Sequence, residues 1–364
     1  MFPPLVRKTF FNLIIVSVSL LICIFLLEGL IRFFHLVPHA DFRKITIEGV
    51  KTHFRPNSTL LVKKPEYQVE YKMNNSGFRD DKTFYKKKDK GNMRLAFLGD
   101  SFTFGIGVPT NKRTSELVEK ILNQKSSDHN FEIYNFGIPA SNTLQQINIF
   151  TKEIAPYQPD YVFILFYIGN DLRDNLPRVE QHHKTGIMYF IRDNFQLYHF
   201  LLYRLANISS FKKLYHRLKI THVYGEIYAL LSFYNKENKN DSKLWNSSYN
   251  LLKKLIESIR LHKSKPIVVL VPEKIQYDDK NWEALLKANK LNPLQYDRTI
   301  PNFLLSSFII NKMKSLVIDP LTYLRQASKK GKQLFYPLDG HLNKEGHRLL
   351  AEIISGEFLE ILKR

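Results

Sequence analysis

Five short apolar runs, at 95–98, 131–134, 160–167, 266–271 and 315–318, restrict what this chain can fold into. The runs at 95–98, 160–167 and 266–271 read as strands covered on both faces, the pattern of a parallel sheet, and those at 131–134 and 315–318 as further, shorter strands. Helical spacing at 115–122, 143–154 and 344–362 falls between and after them. Strands interleaved with helices imply a sheet flanked by helices on both sides. The expected fold class is therefore α/β: a three-layer α/β/α sandwich with a central parallel sheet of about five strands.

Such sheets bind ligands beyond the carboxyl ends of their strands. The first run stops at Gly99, and Ser101 follows in Gly99-Asp100-Ser101-Phe102-Thr103-Phe104-Gly105. Thr103 stands where a G-x-S-x-G elbow needs its second glycine, and no Gly-Lys-Ser/Thr makes a P-loop. The second run leads into Asn135-Phe136-Gly137 and the third into Ile168-Gly169-Asn170-Asp171. Asp339-Gly340-His341-Leu342-Asn343 precedes the last helical stretch.

These segments together resemble the signatures of the SGNH (GDSL-type) hydrolases, a family of esterases and acyltransferases. The resemblance covers residue 74 to the C-terminus, less an inserted region, and suggests flavodoxin-like strand order. Acyl transfer through serine needs a base, a group that orients the base, and donors for a tetrahedral oxyanion. The family's roles fall on Ser101 as nucleophile, His341 as base and Asp339 as orienter. They place the oxyanion on the backbone N–H groups of Ser101 and Gly137 and the side-chain amide of Asn170. The family's usual acid lies three residues before the histidine, where this chain has Leu338; Asp339, two before, is taken instead. Asp100 and Asp171 are read as structural, and His347 as an ordinary helix residue. No cofactor and no metal is expected: His182 and His183 are adjacent rather than at ligand spacing. One cysteine excludes an internal disulfide framework and a cysteine-built zinc site.

Residues 10–27 carry no charge and are long enough for a membrane-spanning helix. Arg7 and Lys8 before them put the N-terminus in the cytoplasm and the rest outside. The segment 27–30 offers no small-residue cleavage pattern and Cys23 follows Ile22, so an uncleaved signal-anchor is preferred to a leader or lipoprotein. The expected organisation is a cytoplasmic tail at 1–8, the transmembrane anchor at 9–31, a connector at 32–92 without sustained period, and the catalytic domain at 93–364. Within the connector, Asn74-Asn75-Ser76-Gly77-Phe78-Arg79-Asp80-Asp81 resembles a segment found ahead of the serine strand in membrane-anchored relatives. A helical insertion at about 175–262, with aromatic and basic stretches at 189–192, 198–204 and 212–217, either walls the active site or packs as an ornament.

A net charge of +20 favours anionic surroundings. Nucleic acid is excluded as a partner, since no binding module is recognisable and the domain is placed outside the cytoplasm. The expectation is a serine-dependent ester hydrolase or O-acyltransferase with an acyl-serine intermediate. Its substrate would be an acylated carbohydrate or lipid of the cell envelope, its partners the membrane and envelope-biosynthesis proteins. The alternative is a catalytically silent envelope-binding protein that keeps the fold.

Overall fold

The computed structural model describes residues 4–34, 44–47, 50–64, 66–176, 195–205, 231–337 and 339–363. Five parallel strands form the central sheet: β5 (Asn92–Gly99), β6 (Asn130–Gly137), β7 (Tyr161–Tyr167), β8 (Lys265–Val271) and β9 (Leu316–Ile318). Their order, β6-β5-β7-β8-β9, is the flavodoxin-like order. The last six residues of β5 and of β8, and the first six of β7, are buried. This burial on both faces explains why the runs are uniformly apolar.

Successive residues of β5 feed opposite cores. Ala96 and Leu98 join a cluster with Tyr71, Phe78, Leu252 and Leu305, whereas Leu95 and Phe97 join one with Val118, Leu122, Leu350 and Phe358. Each such side chain contributes roughly 1.5–3 kcal/mol by leaving water. The second core is closed by helix α3 (Thr114–Lys125) and the C-terminal helix Lys344–Leu362. Register aligns Gly99 with Gly137 on one side and Leu165 on the other. The chain after β5 thus leaves the sheet between the ends of β6 and β7.

The connector differs from expectation. It holds two hairpins, β1 (Lys44–Ile47) with β2 (Val50–Phe54) and β3 (Thr59–Lys64) with β4 (Tyr67–Lys72). β4 alternates strictly between buried and exposed, and Tyr67, Val69 and Tyr71 enter the first core. Period two is therefore present in Tyr-Gln-Val-Glu-Tyr-Lys; its polar-tipped tyrosines hide it from a hydrophobicity count. The helix expected at 143–154 is α-helical only over Thr143–Ile149 and ends in a π-turn, Phe150–Ile154.

Contacts divide the chain into two compact units, Met1–Ala40 with Lys63–Pro65 and Arg178–His222, and Asp41–Val62 with Glu66–Pro177 and Val223–Arg364. The segment read as connector and domain edge, 32–92, thus lies mostly in the unit that holds the sheet, through Asp41–Val62 and the stretch from Glu66 onward. Helix Ser242–Leu261, assigned to the insertion, is the crossover into β8 and buries Trp245, Leu252, Leu255 and Ile259. The stretches 189–192 and 212–217, and the pair His182-His183, lie outside the described residues.

The other unit is built on helix α1 (Pro4–Phe33), whose segment Phe10–Phe33 has a mean hydropathy of 2.8 and the length to cross a membrane. Its apolar side chains are largely exposed, but Glu28 and Ile31 are buried, with Ile24 partly so. The Glu28 carboxylate accepts the backbone N–H of Gln196 at 2.9 Å and of Leu197 at 2.7 Å, at the start of helix Gln196–Leu205. Arg32 Nε donates to the same carboxylate at 2.7 Å.

Candidate active site

β5 ends at Gly99 because nothing larger fits: a Cβ there would lie 2.2 Å from Thr103 Oγ1 and 2.8 Å from the Leu165 carbonyl oxygen. Asp100 then caps a single helical turn, α2 (Ser101–Phe104), its Oδ1 accepting the Phe102 N–H at 2.9 Å. Gly105, at φ 78°, ends the turn in a left-handed conformation. This presents Ser101 at the carboxyl edge of the sheet.

The structure brings Ser101, His341 and Asp339 together. Ser101 Oγ lies 2.9 Å from His341 Nε2, and His341 Nδ1 lies 2.5 Å from Asp339 Oδ1. The two-residue spacing works because Gly340 adopts φ 83° and turns the chain between the two side chains. Gly340 N–H donates to the Tyr336 carbonyl at 3.0 Å, and Tyr336 N–H to the His341 carbonyl at 2.8 Å. Asn343 then starts the C-terminal helix by accepting the Gly346 N–H at 2.9 Å. The Asp339 side chain is 5% exposed and that of His341 22%, so the acid is shielded while the base remains reachable. Phe102 walls the imidazole, with ring centroids 5.1 Å apart, and stacks on Tyr167 at 3.7 Å.

Of the expected oxyanion donors, the Ser101 N–H has no partner among the described residues. Asn170 Nδ2 gives one hydrogen to Asp100 Oδ2 at 3.0 Å and keeps a second. Gly137 requires correction: its N–H donates to its own neighbour Asn135 Oδ1 at 2.9 Å. The glycine is needed for another reason. A Cβ at 137 would sit 2.2 Å from the Phe104 nitrogen, so its absence lets β6 press against α2. Sequence reasoning missed Ala140, which holds φ 61° at the tip of the next turn. Ile138 N–H and Ser141 Oγ both donate to the Gly99 carbonyl, at 3.0 and 3.2 Å, keeping that turn beside the end of β5. Alanine carries no signal of positive φ; only glycine would have announced it.

Beneath the site Asp100 and Asp171 are fully buried. Burial pushes the Asp100 carboxyl up to about 6, against bonds from Phe102 N–H and Asn170. Burial also raises Asp171, which accepts the Tyr167 N–H at 2.8 Å. Both tie loops together, in keeping with a structural reading. Arg79 was not foreseen either. Its guanidinium donates to the carbonyls of Phe104 at 2.9 Å and of Gly105 and Val108 at 2.5 Å, pinning the segment that follows Ser101. Burial, and then Arg113, lower its pKa to about 9, leaving it cationic at neutral pH. His347 stands in the C-terminal helix, as expected, but is buried there: it is 1% exposed, and its Nδ1 faces Thr114 Oγ1 at 2.8 Å. No group of three potential metal ligands occurs among the described residues.

A serine hydroxyl within hydrogen-bond reach of an imidazole that is itself bonded to a carboxylate is an arrangement suited to acyl transfer. No curated protein matches the chain. Similar solved structures include Axe2, an acetylxylan esterase from Geobacillus stearothermophilus, at 16% identity and TM-score 0.39 over 74% of this chain and 96% of that one. The acetyl xylan esterase AlAXEase is similar at 14% identity and TM-score 0.41, over 72% and 98%. TesA is similar at 12% identity and TM-score 0.39, over 72% and 95%. Residues 95–354 match the model of the family GDSL-like Lipase/Acylhydrolase, and the chain belongs to this family of serine esterases.

Proposed function

We propose that the chain is a membrane-anchored esterase or O-acyltransferase in which Ser101, His341 and Asp339 form the catalytic triad. Ser101 Oγ attacks the ester carbonyl carbon as its proton passes to His341 Nε2. Asp339 accepts the Nδ1 hydrogen and stabilises the imidazolium. The tetrahedral oxyanion is held by the Ser101 N–H and the second amide hydrogen of Asn170, joined by the Ala140 N–H in place of Gly137. Collapse breaks the ester C–O bond, His341 returns its proton to the leaving alkoxide, and an acyl-serine remains. A water or a sugar hydroxyl then repeats the sequence, restoring Ser101 and releasing acid or new ester. The observation that carries this reading is the 2.9 Å contact between Ser101 Oγ and His341 Nε2, residues 240 apart in sequence. A fluorophosphonate probe tests it: wild type should be labelled and Ser101→Ala should not. Equal labelling of both would end the proposal.

The substrate we assign is an acylated carbohydrate or lipid of the cell envelope, outside the cytoplasmic membrane. The apolar segment Phe10–Phe33 of the N-terminal helix, Arg7 and Lys8 just before that segment, and a net charge of +20 support this assignment. Retention of the helix is favoured by Glu28, whose carboxylate caps helix Gln196–Leu205. A leader destined for cleavage would have no reason to be built into the folded protein. N-terminal sequencing of the membrane-extracted protein, with protease shaving of intact cells, decides between anchor and leader. Acyl release or transfer on isolated envelope glycans and lipids then identifies the acceptor.

A further inference from the structure

The triad acid is held by a part of the chain that lies outside residues 95–354, where the family match runs. Asp339 uses Oδ1 for His341; its Oδ2 accepts the Tyr67 hydroxyl hydrogen at 2.9 Å. Next to Tyr67, Glu66 Oε2 accepts the Asp339 backbone N–H at 2.7 Å. Two consecutive residues at the start of β4 therefore fix both the side chain and the backbone of one aspartate, 272 and 273 positions away.

The grip extends to the nucleophile side. The Tyr67 ring packs on Tyr336, centroids 5.0 Å apart, and the Tyr336 hydroxyl donates to the Gly107 carbonyl at 2.8 Å. Gly107 N–H donates to the hydroxyl of Tyr71, two residues along the same buried face of β4, at 2.8 Å. A Cβ on Gly107 would come within 2.6 Å of Tyr336 and 3.0 Å of Tyr67, so this packing leaves no slack. β4 thus spans the loop after Ser101 and the loop before His341.

We infer that Tyr67 is a positioning residue of the esterase: its hydroxyl holds Asp339 with Oδ1 turned to His341, which makes the β3–β4 hairpin a working part of the catalytic centre. The need for it follows from local geometry. Asp339 sits in an irregular loop beside Gly340, whose own side is open, a Cβ there meeting nothing within 4 Å, so the carboxylate is positioned by what its own side chain touches. With Oδ1 bonded to His341, the bond to Oδ2 helps fix the plane of the carboxylate about χ2. The phenol supplies that hold, and as a donor to a carboxylate it forms a strong, charge-assisted bond. This inference rests on the triad assignment above.

The test uses the full chain in detergent, with p-nitrophenyl acetate for kcat and KM and a fluorophosphonate for the rate of serine phosphonylation. Tyr67→Phe keeps the ring and its packing on Tyr336 and removes only the hydroxyl. It should lower kcat and the phosphonylation rate about tenfold, the order expected for one hydrogen bond to a charged group, with KM unchanged within about twofold. In an Asp339→Asn background the same change should cost nothing further, because the coupling runs through that carboxylate. If Tyr67→Phe melts early, the comparison of Asp339→Asn with the double variant is made below both midpoints and still decides. Tyr67→Phe at wild-type rate, or a tenfold loss persisting in the Asp339→Asn background, would overturn the inference. Failure of the triad itself would show differently, as turnover surviving Ser101→Ala.

Discussion

The two halves of the site are built by different means. The nucleophile half is locked by buried backbone: Gly99 and Gly137 admit main-chain contacts that no Cβ would allow, and Phe104 is fully buried. Arg79 closes it by binding three carbonyls at once. The base half is a turn at Gly340, open on the glycine's own side and set by hydrogen bonds with Tyr336, Tyr67 and Glu66. Disturbing the nucleophile half should therefore damage folding and turnover together. In the base half, turnover should fall while the fold persists.

Asp339→Asn gives the largest expected effect. Asparagine holds the imidazole in the wrong tautomer, and triads lose about 10⁴ in kcat on this change. Because asparagine keeps the volume of the side chain and an oxygen for the Tyr67 hydroxyl, the melting midpoint should stay within about 3 °C of wild type. A coincident collapse of midpoint and kcat would show that the base half is structural after all.

Arg79→Met comes next and should behave oppositely. It strands the carbonyls of Phe104, Gly105 and Val108, each at a cost of about 1–3 kcal/mol. A total on the order of 3–5 kcal/mol would lower the midpoint by roughly 4–7 °C in a protein of this size. kcat should fall with it, as α2 loses its support. Full activity at an unshifted midpoint would break the contrast between the halves. Asn170→Ala sharpens it from within the nucleophile half. As a lost oxyanion donor it should cost roughly 10²–10³ in kcat. Since the side chain also anchors Asp100, a modest loss of stability should accompany it.

The same contrast governs what could be read from the sequence. Strands buried on both faces announce themselves as apolar runs; Ser101 and Asn170 stand just past the ends of two of them, and His341 ahead of the last helical stretch. Gly137 was legible as a residue and misread as a donor, because a glycine required by a close backbone contact looks the same as one that offers its N–H. Ala140 is silent, since its left-handed backbone has no side-chain signature. Tyr67 could not be found from pattern, and Arg79, though inside the marked segment 74–81, carried no sign of its role. Their function lies in contacts with Asp339 and Phe104 that exist only once the chain is folded. The hairpin was hidden for a further reason, that tyrosine counts as half polar in hydropathy while its ring packs as an apolar residue in the core.

The smallest expected effect concerns the joint between the halves. His347 stands on the C-terminal helix that follows the base loop, and its Nδ1 meets Thr114 at the start of α3 on the nucleophile side. Burial, then the charges of Arg79 and Arg113 and the nearby His341, lower its pKa to about 3. In the unfolded chain it would titrate near 6.5, so between about 3 and 6.5 the unfolded state binds a proton that the folded state refuses. Stability contributed by the neutral imidazole is complete above about 6.5 and lost as pH falls through that window, by up to about 1.4 kcal/mol per pH unit. Asp80 and Asp100, both raised to about 6, act in the opposite sense, keeping protons in the folded state. The measurement is therefore a difference: urea unfolding of wild type and His347→Gln at pH 7 and pH 5. Wild type should lose about 1–2 kcal/mol more than the variant across that interval. Equal losses would mean that the imidazole takes up its proton in place, and that the two halves are joined by packing alone.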